Sequence, residues 1–531
     1  MRQKLSNRLT LCLSTMLLVL LGTTGCGLFG GSTETLTVLA GSELKDIQPL
    51  LDQIENNTDV RLEFTYIGTL NGTEELLSGA DYDLAWFSHA RYLSMLDSNN
   101  SLIATQEKIM LSPVVMGVKE SKAREFGWID NADITWQDVA DKAASGELRF
   151  AMTNPAASNS GFTALVGVAA ALADSSDALE TGDINSQGMA DFFKGQALTA
   201  GSSGWLAESY VEAQQDNLVV LDGMINYESV LLALNQGREL NEKFTIIYPK
   251  EGIITADYPL MLLDKDKREA YDLLVEYLRT PEMQQDLMET TLRRPAVAGI
   301  SLDSRIPDSL LVELPFPNRV DVIDQLLFAY LDEQRIPAHA YFLLDVSGSM
   351  DGNGIRDLKT AINNLTGLDD SLTGRFARFR GREAVTIVTF NHEVTSVNTF
   401  SIDNTDAQGG DMQQIRDHVN GLFADGGTAI YSSLAEVYQL AANDQSIDPD
   451  RYYSIVLMSD GENTDGASLR EFRQWHERLP AEVRRIRTFT VVFGNADEAA
   501  MEEIADSTGG RKFDGTSESL SLIFKQIRGY Q

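Results

Sequence analysis

From residue 36 onward, short runs of aliphatic and β-branched residues alternate with stretches whose apolar positions recur at helical spacing. Leu36-Thr37-Val38-Leu39-Ala40 reads as a strand, 44–56 as a helix and 61–66 as a second strand. Residues 74–78 begin another helix, and 84–87 form a third strand whose aromatics, Trp86 and Phe87, read as core. Trp136-Gln137-Asp138-Val139-Ala140 opens a helix leading to a strand at 148–152, which Pro155 stops. Ser158 or Ser160 can then cap an Ala-rich helix from 162 to about 172, leaving exposed N–H groups at its positive end for an anionic or carbonyl group. Strand–helix–strand alternation predicts a mostly parallel sheet with helices on both faces, where ligands collect beyond the carboxyl ends of the strands.

The pattern is interrupted once. Pro295, Pro307, Pro315 and Pro317 mark a boundary, and 321–334 is an amphipathic helix with Val322, Leu326, Leu327 and Tyr330 on one face. Alternation then resumes, with strands at 339–344, 384–390, 453–458 and 488–493. Helices fall at 358–365, 412–422, about 430–442 and 518–528. This is a second doubly wound α/β unit, and 531 residues leave ample chain for several separate cores.

The amino terminus is different. Arg2, Lys4 and Arg8 precede a mostly apolar run at 9–21, too short to span a bilayer and right for a signal peptide. It ends in Gly22-Thr23-Thr24-Gly25-Cys26, which resembles a bacterial lipobox apart from Thr23, and which implies lipidation of Cys26 and removal of residues 1–25. Cys12 would leave with the leader, so no disulfide is expected. Residues 26–34 read as a short tether to a membrane, with the protein outside the cytoplasm.

Charge removes several function classes. The 43 Lys+Arg against 78 Asp+Glu give −35, a surface that repels phosphate backbones, so no nucleic-acid partner is expected. There is no Gly-x-x-x-x-Gly-Lys loop and no His-Glu-x-x-His, and the five histidines are scattered. The expectation is a protein that is not an enzyme.

The order of elements over 35–300 and the Asn154-Pro155…Ser160-Gly161 segment resemble the type II periplasmic solute-binding fold. That resemblance implies two lobes, with the chain crossing at 111–118 and returning near 246–253. It places solute contacts on Ser42, Ser88, Ser158, Ser160 and Tyr227, although each serine taken singly reads first as a helix cap or loop hydroxyl. Residues 301–337 are then a linker with a helix.

Three motifs in 338–531 carry a second resemblance. Asp345-Val346-Ser347-Gly348-Ser349 follows a strand, Thr428 lies 83 residues on in Asp425-Gly426-Gly427-Thr428, and Asp460 lies another 32 residues on at a strand end. Together they resemble the metal-ion-dependent adhesion site of a von Willebrand factor type A (VWA) domain. The resemblance implies that Asp345, Ser347, Ser349, Thr428 and Asp460 hold a divalent cation, Mg²⁺ foremost with Mn²⁺ or Ca²⁺ as alternatives, because hard cations take oxygen ligands. With only two acids among the ligands, the cation would accept a carboxylate from a protein partner. The expected function is a membrane-anchored binding and adhesion protein that also takes a small solute. The alternative is the solute receptor of an ABC-type importer, with the VWA domain as anchor or assembly module.

Overall fold

The computed structural model describes residues 33–530 apart from 98, 100, 174–176, 216–219, 309–310 and 495. The leader, Cys26 and nearly all of the tether lie outside the described residues. Three sheets organise the described residues.

Lobe 1 is a five-stranded sheet in the order Val60–Ile67, Glu34–Gly41, Leu84–Trp86, Pro259–Leu262 and Thr105–Lys108. The strand Pro259–Leu262 enters antiparallel after a long excursion of the chain through lobe 2. Lobe 2 centres on Met110–Lys119, which pairs with Gly223–Tyr227, Phe244–Ile247, Thr255–Ala256 and Arg294–Pro295. Phe150–Thr153 and Gln196–Ala200 extend this sheet in parallel. Trp86 and Phe87 are fully buried, as their position at a strand end predicts.

Two helices in lobe 1 depart from expectation. The predicted helix over 44–56 is a 3₁₀ segment, Ser42–Leu50, carrying Pro49, followed by an α-helix, Leu51–Thr58. The ring of Pro49 removes one donor, which favours the change of helix type there. The helix expected to begin at 74–78 instead occupies Thr69–Leu77 and ends where the reading starts it. Gly72 lets this helix lie directly against Phe87 and Ile67, and that packing outweighs its weak helix propensity.

The connector helix Val320–Ala329 continues through Tyr330–Gln334 and buries Val322, Leu326, Leu327 and Tyr330, the face predicted from its spacing. It packs on the lobe 2 helix Asn159–Leu172, and the Tyr330 ring meets Phe193 edge-on at 4.8 Å.

The C-terminal sheet has the order Val394–Ser401, Ala384–Phe390, Ala338–Asp345, Tyr452–Ser459, Arg487–Val492 and Lys512–Asp514. All its pairs are parallel except Val394–Ser401, an antiparallel edge. Strand residues alternate between two helix layers. Phe342 and Leu344 pack with Leu358, Phe524 and Ile527, whereas Tyr341 and Leu343 pack with Leu434, Tyr438 and Phe472. Burial on both faces is why these strands read as continuous apolar runs. The carboxyl ends of the central strands thereby meet at one rim, where Asp345 and Asp460 sit.

Candidate functional site

Asp345 closes the central strand and is fully buried. Its Oδ1 accepts from the Ser347 N–H at 2.8 Å, and its Oδ2 accepts from the Ser459 hydroxyl at 2.6 Å. The Ser347 and Ser349 hydroxyls are 3.0 Å apart, and Ser349 Oγ donates to Asp460 Oδ1 at 2.7 Å. A β-carbon at Gly461 would lie 3.4 Å from Ser349 Oγ and 3.7 Å from Thr428 Oγ1, so the threonine faces the same spot. The structure brings all five residues of the sequence motif together. Ser459, which sequence reasoning missed, supports Asp345 from the neighbouring strand; its only signal was adjacency to Asp460.

The loops are fastened to each other by their backbones. Gly348 donates to the Gly426 carbonyl at 2.9 Å, Asp425 to Val346 at 2.8 Å, and Thr464 to Thr428 at 2.8 Å. Burial raises the carboxyls of both Asp345 and Asp460 above the ordinary aspartate range, and Asp460 raises Asp345 further. The leading influences on the two carboxylates are burial and hydrogen bonds from serines and main-chain N–H groups. Two desolvated acids answered by hydroxyls and backbone N–H groups are costly by themselves. Two carboxylates and three hydroxyls are also the donor set a hard divalent cation takes. The residues fit such an ion.

The solute contacts proposed for the first domain fare differently. Tyr227 is fully buried, donates to Ser88 Oγ at 3.0 Å and accepts from Asn159 Nδ2 at 3.1 Å. The Ser88 carbonyl accepts from Asp257 and Tyr258. Ser160 shares hydrogen bonds with Thr153 (2.9 Å) and Ser203 (2.8 Å), and Ser158 lies 3.4 Å from it. Ser158 occupies the N-cap position of the Ala-rich helix, yet its hydroxyl makes no capping bond. The predicted exposed N–H groups are corrected accordingly: Asn159, Ser160 and Gly161 are all buried. Ser88 and Tyr227 form a polar contact that joins the lobes, because closure of the lobes occupies these positions with one another, whereas Ser158 and Ser160 bond within lobe 2. Ser42 lines open space.

Behind that contact, Arg293 is buried, pairs with Asp46 at 2.6 Å and lies 4.6 Å over the Tyr258 ring. Burial raises the neighbouring Glu43 carboxyl, whose Oε1 has no hydrogen-bond partner.

Residues 36–290 match the family model for bacterial extracellular solute-binding proteins. Residues 340–526 match that for the von Willebrand factor type A domain. The chain joins a solute-binding domain to a VWA domain. An uncharacterized protein of Synechocystis sp. is 30% identical over 198 residues, and this match takes in 37% of the present chain and 42% of that protein's length. Among solved structures, a periplasmic binding protein of Actinobacillus pleuropneumoniae with bound fructose-6-phosphate is 15% identical with a TM-score of 0.44, over 57% of this chain and 99% of that one. A ferric binding protein of Campylobacter jejuni is 12% identical with a TM-score of 0.42, over 55% and 96%. A von Willebrand factor type A protein of Catenulispora acidiphila is 16% identical with a TM-score of 0.29, over 37% and 43%.

Proposed function

We propose that this protein is an extracytoplasmic binding protein, tethered to a membrane through a lipid on Cys26, whose VWA domain grips a carboxylate of a protein partner through a divalent cation. The single observation that carries the reading is the pair of buried carboxylates, Asp345 and Asp460, brought together with three hydroxyls. Asp345, Ser347, Ser349, Thr428 and Asp460 would hold the ion, with Mg²⁺ the best match to this oxygen set. A cation there supplies a Lewis-acidic position for a foreign carboxylate. The chain's own part is to aim the five oxygens and to keep the loops fixed.

The first domain supports small-solute binding through its family match and its two-lobed form. The location outside the cytoplasm has the same support.

The test is calorimetric titration of Mg²⁺ into the chelator-stripped full chain and into Asp345→Asn. The parent binds one equivalent and gains thermal stability, about 2.7 kcal/mol at a hundredfold excess over Kd. The variant loses both. Equal titration curves for parent and variant would refute the site.

A further inference from the structure

The deep part of the solute cleft is shut by the protein itself, through Tyr227, Ser88 and Asn159. The lobes also touch nearer the mouth. A β-carbon on Gly68 of lobe 1 would come within 2.7 Å of the Ala157 carbonyl of lobe 2. Open space remains outside this contact, as a cavity of about 780 Å³, a volume typical of small-molecule sites. Its walls come from three bodies: Ser42 and Asn71 of lobe 1, Asn154 and Trp205 of lobe 2, and Gln526 and Tyr530 of the VWA domain.

The VWA domain stands on both lobes around that cavity. On lobe 2 the footing is broad and largely apolar. A β-carbon on Gly529 would lie 2.7 Å from Ala157 Cβ, the Tyr530 and Trp205 rings meet edge-on at 4.6 Å, and the Arg487 guanidinium covers Trp205 at 4.8 Å. On lobe 1 the footing includes one carboxylate, Glu74, in the helix Thr69–Leu77. Its Oε2 accepts from the Thr373 N–H at 2.6 Å and from the Thr373 hydroxyl, and its Oε1 lies 3.5 Å from Lys525 Nζ. Lys525 is steadied in turn by Asp369 at 2.7 Å and by Ser371. Hinge opening would carry lobe 1 away from lobe 2 and from the domain seated on it. The bonds at Glu74 must then break.

We propose that the VWA domain is the lid of the solute cleft: it completes the wall of a site for a small polar solute and holds the two lobes together through Glu74. The solute part rests on the reading that the first domain binds a small molecule; the latch does not. Charge-assisted hydrogen bonds of this kind are short and strong, and on Glu74 of lobe 1 three donors from the VWA domain converge.

The experiment measures lobe separation directly. Spin labels are placed at Asn56→Cys on lobe 1 and Ala144→Cys on lobe 2 of the full chain, with Cys12 and Cys26 changed to Ser, and pulsed dipolar spectroscopy reads the distance. The parent gives one narrow distribution. Glu74→Lys, which faces Lys525 with a like charge, adds a longer component and raises the open fraction at least tenfold; Lys525→Glu does the same from the other side. Circular dichroism identical to the parent shows that the variants are folded. The lid is overturned if both folded variants keep the single narrow distribution, or if the parent already populates the longer distance. A thermal-shift screen with inorganic phosphate, citrate and sugar phosphates tests the solute reading separately. A flat screen would count against that reading and leave the distance result standing.

Discussion

Glu383→Gln is the most demanding test of how the VWA domain is held together. Glu383 is 2% exposed and accepts two hydrogen bonds of 2.7 Å from Arg528, one from Arg335, and one of 2.9 Å from the Arg380 N–H. Arg335 ends the connector and Arg528 ends the C-terminal helix, so one carboxylate joins the domain's entrance to its exit. Burial alone would raise the Glu383 carboxyl, but the Arg528 and Arg335 guanidiniums overcome this and hold it below the usual range. Glutamine keeps the shape and removes the charge. It leaves two guanidiniums, each 5% exposed, with a single neutral oxygen between them and an amide NH₂ pointing at one of them. Removing one member of a buried ion pair costs about 3–5 kcal/mol. For a domain of this size, that lowers the melting temperature by about 10 °C, at about 2–4 °C per kcal/mol. The assay is calorimetry of the full chain, with hydrogen exchange over Ala338–Asp345 used to assign the transition that belongs to the VWA domain. A shift below about 2 °C would show that the network is not worth what its geometry implies.

The pH dependence should be set partly by two buried histidines. Burial pushes His339 down to about 4 against a nearby Asp444, and burial with Arg484 pushes His476 down to about 4. Both stay neutral when folded while the unfolded chain takes up protons below about 6.5, so stability falls between pH 6.5 and 4 by roughly 3 kcal/mol per histidine and levels off below. A melting temperature that is flat across that window would contradict this. Tyr227→Phe deprives Ser88 and Asn159 of a buried partner, and should lower the stability of the first domain by about 1–3 kcal/mol even without solute. If Tyr227 were a solute contact instead, chemical denaturation of the solute-free protein would show no change. Trp136→Phe loses the indole N–H donation to the Gly252 carbonyl at 3.0 Å and the packing of Trp136 on Phe192, for a cost of about 1–3 kcal/mol by the same assay.

The five residues of the candidate site were legible because their chemistry is local. Asp345, Ser347 and Ser349 alternate directly after an apolar strand, and that strand is apolar because both its faces are covered. The edge strand Val394–Ser401 was not read, since its burial alternates between half-buried and exposed positions and its residues are largely polar. Ser88, Ser158, Ser160 and Tyr227 were read as loop contacts for a solute; Tyr227 instead ends a strand and Ser160 lies in the first turn of a helix, and whether such a hydroxyl meets a solute or another part of the chain depends on lobe closure, which no short stretch encodes. Glu74 and Thr373 are 299 residues apart, and nothing in the sequence around either one points to the other.

The cross-fastening of the adhesion loops has a consequence for how the protein would respond to its surroundings. Gly348, Val346 and Thr428 are pinned by main-chain bonds that need no cation. A chelator should therefore silence adhesion while leaving the fold standing, and adding metal back should restore it without any refolding delay. Grip would then track the ambient ion supply promptly and reversibly, unlike a zinc finger, whose architecture disappears with its metal.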